Sequence, residues 1–149
     1  MTPERDPHEV RDYLIATAQV AVLVLLAREA LLGWPWREAT WWMFAVAGAV
    51  AVPSFVTLGK SLTIRPTPNR RGLRTGGVYR VVRHPMYLSL LIVGAAVGVS
   101  GGERAWTVFF GLVLVVGLKI AIEERHLAEV YPEFEAYARR TKRLIPFIW

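Results

Sequence analysis

Four long runs almost free of charge dominate this 149-residue chain. Residues 13–27 form the first, continued by 30–36 beyond Arg28 and Glu29. Residues 39–59 form the second, 86–102 the third, and 105–122, interrupted only by Lys119, the fourth. A helix needs about 20 apolar residues to cross the hydrocarbon layer, within a usable range of roughly 17 to 25. Inside that layer the backbone has to satisfy its own polar groups, which favours helices. The runs therefore predict an all-α integral membrane bundle of about four spans, at 13–33, 39–59, 86–102 and 105–122, in one membrane domain over 1–149. The third and fourth spans are short and call on flanking residues or shielding by protein. Pro53 is expected to kink the second span rather than end it. Trp34, Trp36, Trp41 and Trp42 cluster at the first connection, where indole rings favour the membrane–water boundary. The competing soluble bundle would need a polar face on each helix, and the stretches 109–118 and 45–52 have none.

Composition removes other classes. The chain has no cysteine, which excludes a disulfide scaffold and a thiolate metal site. Six Trp, six Phe and five Tyr are too much apolar surface for a disordered chain. His8, His84 and His126 are dispersed and give no metal spacing. Phosphate-loop, dinucleotide and nucleophile-elbow motifs are all absent.

Charge is placed unevenly. Between residues 60 and 83 stand Lys60, Arg65, Arg70, Arg71, Arg74, Arg80 and Arg83 without one acid, a local +7 against +6 for the whole chain. The tail adds Arg125, Arg139, Arg140, Lys142 and Arg143, while the other two connections are short and nearly neutral. Basic loops stay cytoplasmic. Both termini and the 60–85 loop are therefore expected on the cytoplasmic side. A basic loop beside spans favours lipid headgroups or an anionic cofactor over nucleic acid. The amino-terminal tail has mixed charge and lacks the pattern of a cleavable signal peptide.

Side chains able to do chemistry fall into three groups on that side. Around 76–87, Gly76 and Gly77 permit a tight turn and close approach to a ligand. Pro85 suits the first turn of a helix. Arg83 and His84 then sit at a helix mouth that favours an anion, with Tyr87 one turn inside. The alternative is an interfacial anchor of the third span. The second group is Glu123-Glu124-Arg125-His126, where paired carboxylates at a span's end are costly unless paired, solvated or used. Its alternative is a solvated continuation of the helix, with Lys119 snorkelling towards the boundary. The third is Tyr131, Phe134, Tyr137, Arg140 and Arg143, spaced as one stripe of an amphipathic helix over 123–143. Such a stripe can lie in the interface of an anionic membrane or fold over the loop to close a pocket. The final 144–149 segment is expected to be an apolar anchor.

In order, Gly-Val-Tyr-Arg-x-x-Arg-His-Pro-Met-Tyr-Leu from Gly77, an apolar hairpin, Glu-Glu-Arg-x-Leu from Glu123 and Tyr-x-x-Arg from Tyr137 resemble a known group. It is the isoprenylcysteine carboxyl methyltransferase and phospholipid methyltransferase family of integral membrane enzymes. The resemblance covers residues 72–149 and implies S-adenosylmethionine as cofactor, bound at the cytoplasmic ends of the last two spans. It further implies cofactor contacts by Tyr79, Arg83, His84, Pro85, Tyr87, Leu88, Glu123, Glu124 and Tyr137, and catalytic roles for Glu124 and Arg140, the latter orienting the methyl acceptor. Ser89 stands where many relatives carry Gly, and Tyr131-Pro132 where relatives often show Phe-Gly, which implies a different entry angle for the tail helix.

Two other functions compete: an isoprenoid or sterol reductase using a nicotinamide dinucleotide, and a small membrane scaffold whose basic loop binds anionic lipid. The Glu-Glu pair favours the methyltransferase. Expected partners are a lipophilic or lipid substrate and membrane lipids. Gly94 and Gly98 form a small-residue face for close packing, most simply against a helix of the same chain.

Overall fold

The computed structural model describes residues 7–33, 38–59 and 72–146. Trp34, Trp36, residues 60–71 of the basic loop and the last residues of the apolar tail (147–149) lie outside them. The described chain is helical: α1 (Pro7–Leu32), α2 (Glu38–Leu58), a 3₁₀ turn (Gly77–Arg80), α3 (Pro85–Gly101), α4 (Glu103–Val130) and α5 (Phe134–Arg140). Helices α1, α2 and α4 are each long and apolar enough to cross a membrane; α3, at 17 residues, is a shorter apolar helix. Arg28 and Glu29 do not interrupt α1, and α2 continues through Pro53. Around that proline, Ser54 Oγ donates to the Val50 carbonyl and Thr57 Oγ1 to that of Pro53.

Helix α3 packs between α2 and α4, and α1 closes against α4 and α3. The core is a column of α4 side chains, Leu112, Val116 and Ile120, spaced one turn apart and joined by Leu26 of α1 and Val97 of α3. Large apolar side chains point the other way: Val24, Val56, Phe110 and Leu114 are each more than half exposed. A soluble bundle would have to cover such faces; hydrocarbon is their natural solvent.

One residue, Gly102, turns α3 into α4. Its φ of 75° lies in the left-handed region, and its N–H bonds back to the Gly98 carbonyl. The hairpin closes tightly because α3 is cut away at its glycines. A Cβ on Gly98 would lie 2.9 Å from the Trp106 ring, and one on Gly94 would lie 2.9 Å from the Phe109 ring. The small-residue face of α3 is thus filled by aromatics of this chain's own α4.

The tail departs from the single amphipathic helix expected over 123–143. Helix α4 stops at Val130, Tyr131 is extended (φ −122°, ψ 104°), and only α5 follows. Pro132 is the reason: it lacks an N–H and drives the residue before it out of the α region. Tyr131 and Arg143 consequently lie off the stripe. Beyond α5 the chain runs back along the segment before α3. Arg83 N–H donates to the Lys142 carbonyl (2.7 Å), His84 N–H to that of Arg143 (3.0 Å), and Lys142 N–H to that of Val81 (3.2 Å).

Gly98→Val is expected to destabilise the protein by about 1–3 kcal/mol through overpacking. Trp106→Leu in the same molecule is expected to recover part of that loss. Unfolding of the four-protein cycle in mixed micelles checks it, and strictly additive effects would contradict the contact.

Candidate active site

At a rise of about 1.5 Å per residue, a hydrocarbon layer of about 30 Å is crossed in about 20 residues. Counted from Glu103, that distance ends near Ile122, so α4 carries Glu123 and Glu124 where the apolar run stops. Pro85 starts α3 at the same end, with His84 as the residue before its first turn.

Glu124 is the hub. Arg83 Nε donates to its Oε1 at 2.7 Å, His84 Nε2 lies 3.3 Å from the same oxygen, and Arg143 Nε donates to Oε2 at 2.9 Å. Arg83 also turns to the tail, where its Nη1 donates to the carbonyls of Ala138 (2.9 Å) and Thr141 (2.6 Å) at the carboxy-terminal end of α5. A cation there satisfies carbonyls that the helix leaves without donors. The Arg83 and Glu124 side chains are about one-tenth exposed, so each depends on the other to offset lost hydration.

Two tyrosines flank the hub. Tyr137 is buried, and its hydroxyl donates to the Tyr79 carbonyl at 2.7 Å, fastening α5 to the 3₁₀ turn. Burial pushes its phenol up to about 12, against the pull of Arg83, so it stays a neutral donor at physiological pH. Burial, and then the Glu123 carboxylate, push the Tyr79 phenol up as well. On the membrane side, Tyr87 stacks on His84, with ring centroids 5.6 Å apart, and donates to Glu123 Oε2 at 2.8 Å. The other Glu123 oxygen has no partner among the described residues.

The structure therefore gathers Arg83, His84, Tyr87, Glu123 and Glu124, with Pro85 setting the helix start and Tyr79 and Tyr137 joined beside them. Leu88 is not in this group; its side chain packs on the apolar core. Arg140 is apart as well. It is exposed and borders an open pocket of about 470 Å³ lined by Leu73, Thr75, Arg80, Glu133, Tyr137 and Thr141. The tail does reach the loop's end, where the Gly72 N–H donates to the Tyr131 hydroxyl at 3.2 Å. Gly77, expected to admit a ligand, instead admits α2: a Cβ there would lie 2.8 Å from Thr57 Oγ1.

The amino-terminal hairpin supplies what sequence reading missed. Lys119 does not snorkel. It is 2% exposed, donates to Gln19 Oε1 of α1 and lies 5.6 Å from the centre of the Tyr87 ring. At the end of the same helix pair, Asp12 is 4% exposed beside Arg11 and His126. The available signal was a lone glutamine inside an apolar run, matched to a lone lysine in another. Among the described residues, no group of three His, Cys, Asp or Glu side chains has the geometry to hold a metal ion.

A phospholipid methyltransferase domain matches residues 36–133. The chain is 32% identical to the cobalt-zinc-cadmium resistance protein CzcN of Cupriavidus metallidurans, over 89% of this chain and 63% of that one. It is 34% identical to a probable protein-S-isoprenylcysteine O-methyltransferase of Oryza sativa subsp. indica, over 71% of this chain and 59% of that one. The chain thus spans about three-fifths of the length of these relatives. No solved structure matches it.

Glu124→Ala strands Arg83 and His84 and is expected to cost about 3–5 kcal/mol of stability. Arg143→Ala removes a partner whose side chain is 43% exposed and is expected to cost about 1 kcal/mol or less. Thermal unfolding of both variants in one detergent checks the ranking; equal losses would contradict the hub.

Proposed function

Because this chain belongs to the phospholipid methyltransferase family, we propose that it is an integral membrane methyltransferase using S-adenosylmethionine to modify a lipophilic acceptor. The observation that carries the reading is the position of Tyr87. Its side chain lines an open apolar cavity of about 510 Å³ between α1, α2 and α3, among Phe44, Phe55, Met86 and Leu90. Its hydroxyl meanwhile bonds Glu123 in the polar cluster at the helix ends. A bilayer-dissolved chain and a polar cofactor have this side chain as their common boundary.

The residues fit the cofactor's chemistry. Its ammonium suits Glu123, which keeps one carboxylate oxygen open, and its sulfonium the ring face of Tyr137. Its carboxylate suits the guanidiniums of Arg80 and Arg140 on the open pocket. Among the described residues, the pocket that Arg140 borders shares no lining residue with the bilayer cavity; we assign Arg140 to the cofactor in place of the acceptor. Both Glu124 oxygens are engaged by Arg83, His84 and Arg143, so we assign Glu124 a positioning role that keeps the α3 mouth, α4 and the tail in register. Pro85 presets that mouth. When bound, the cofactor supplies a methyl group open to in-line displacement. The protein's task is alignment, which can be worth effective molarities of about 10⁵ M or more. A carboxylate acceptor needs no base; for an amine, His84 or Glu123 is the candidate.

We further place both termini and the 60–85 loop on the cytoplasmic side, from the loop's charge. With no native cysteine, single substitutions test this. Arg104→Cys is expected to react with an impermeant maleimide on intact cells, and Arg139→Cys only after lysis. The opposite pattern would invert the topology.

Equilibrium binding of S-adenosylhomocysteine in lipid nanodiscs tests the activity class, with NADPH as the control ligand. Wild-type protein is expected to bind S-adenosylhomocysteine saturably and NADPH not at all. Glu123→Gln is expected to weaken that binding at least tenfold while leaving thermal stability near wild type. Folded wild-type protein that ignores S-adenosylhomocysteine would sink the methyltransferase reading, and NADPH binding in its place would point to a reductase.

A further inference from the structure

The bilayer cavity has one feature that neither the family resemblance nor the cofactor site accounts for. Gln19 is the only glutamine in the chain. It lies on α1, outside the matched segment 36–133, and lines the cavity. Lys119 donates to its Oε1. An ammonium has only donors, so it fixes which end of the amide faces α4 and leaves the nitrogen at the other end. Among the described residues that nitrogen has no hydrogen-bond partner. Among the described lining residues, only two others, Tyr87 and Ser89, have polar side chains. Their hydroxyl hydrogens are already given to Glu123 and to the Met86 carbonyl. The cavity thus offers an apolar wall and an uncommitted amide N–H₂, a donor that is costly to leave unpaired in hydrocarbon.

We infer that Gln19, pinned by Lys119, is a specificity-determining residue that donates a hydrogen bond to an oxygen of the lipophilic acceptor inside this cavity. The occupant it selects is an apolar chain bearing a carboxylate or a carbonyl. A long-chain amine has no oxygen to accept the bond and brings a second cation close to Lys119. The inference rests on reading the cavity as the acceptor site, and goes beyond it in naming the oxygen and the residue that receives it.

Since the chain holds a single glutamine, ¹⁵N-glutamine labelling gives one pair of side-chain amide resonances, and the wild-type protein in micelles reports directly. Dodecanoate and methyl dodecanoate, which separate a carboxylate from a neutral carbonyl, are each titrated, with dodecylamine as control. The resonance pair is expected to shift saturably with at least one of the two oxygen ligands and not with the amine. Gln19→Glu keeps an oxygen for Lys119 and removes both N–H groups. It is expected to weaken dodecanoate binding at least tenfold and leave S-adenosylhomocysteine affinity within twofold. A resonance pair that stays still under either oxygen ligand, or moves equally with dodecylamine, overturns the proposal. So does a Gln19→Glu protein that binds dodecanoate like wild type. If Gln19→Glu does not fold, the wild-type resonances decide alone. Wild-type protein that fails to bind S-adenosylhomocysteine would sink the methyltransferase reading, while the amide shifts would still decide whether Gln19 receives the oxygen.

Discussion

Three cationic or ionisable side chains from two parts of the chain converge on the carboxylate of Glu124, and the polar end of the bundle depends on that convergence. Arg83 and His84 arrive from the turn before α3, Arg143 from beyond α5, and Glu124 from α4. Arg83 binds the carboxylate and the last carbonyls of α5 with one guanidinium. The short tail helix, too brief to be stable alone, is held by this charge, by the Tyr137–Tyr79 hydrogen bond and by backbone pairing between 81–84 and 142–143. None of these contacts is local in sequence. Together they turn the ends of two membrane helices and a tail into one rigid polar body.

That convergence separates what the sequence made legible from what it did not. Helices were legible because lipid imposes a length and an absence of charge; the run at 39–59 satisfies both, and the run at 105–122 departs only by Lys119 and a slight shortness. Most of the polar cluster was legible too, because Arg83-His84-Pro85 and Glu123-Glu124 stand at the ends of apolar runs, where polar groups need a purpose. Partnership was not. Periodicity places Tyr137 and Arg140 on one stripe, yet the structure buries the first against the 3₁₀ turn and leaves the second on the surface. The proline at 132 was visible, but its effect, ending α4 so that the tail could double back, depended on a partner strand of chain at 81–84 that no local pattern announces.

Lys119 shows the same limit from the other side. A lysine three residues from a span's end is ordinarily read as reaching for water, since its stem is long enough. Here its partner is Gln19, one hundred residues earlier. Only the packing of α1 against α4 reveals that the amide and the ammonium share a layer of the membrane. The amino-terminal hairpin, which reads as passive packing, therefore contributes the polar floor of the cavity.

The shortness of α3 sets the depth of the polar cluster, and with it the depth at which the proposed chemistry would take place. Seventeen residues rise about 25 Å, less than the roughly 30 Å of a bilayer's hydrocarbon, and Gly102 ties the helix directly to α4 at the far face, so it cannot slide to make up the difference. The mouth of α3, with the charged hub built around it, is accordingly drawn down to the edge of the oil. On the proposed reading, an acceptor dissolved in the leaflet arrives by sliding sideways, a search in two dimensions, and never has to expose its tail to water to be reached.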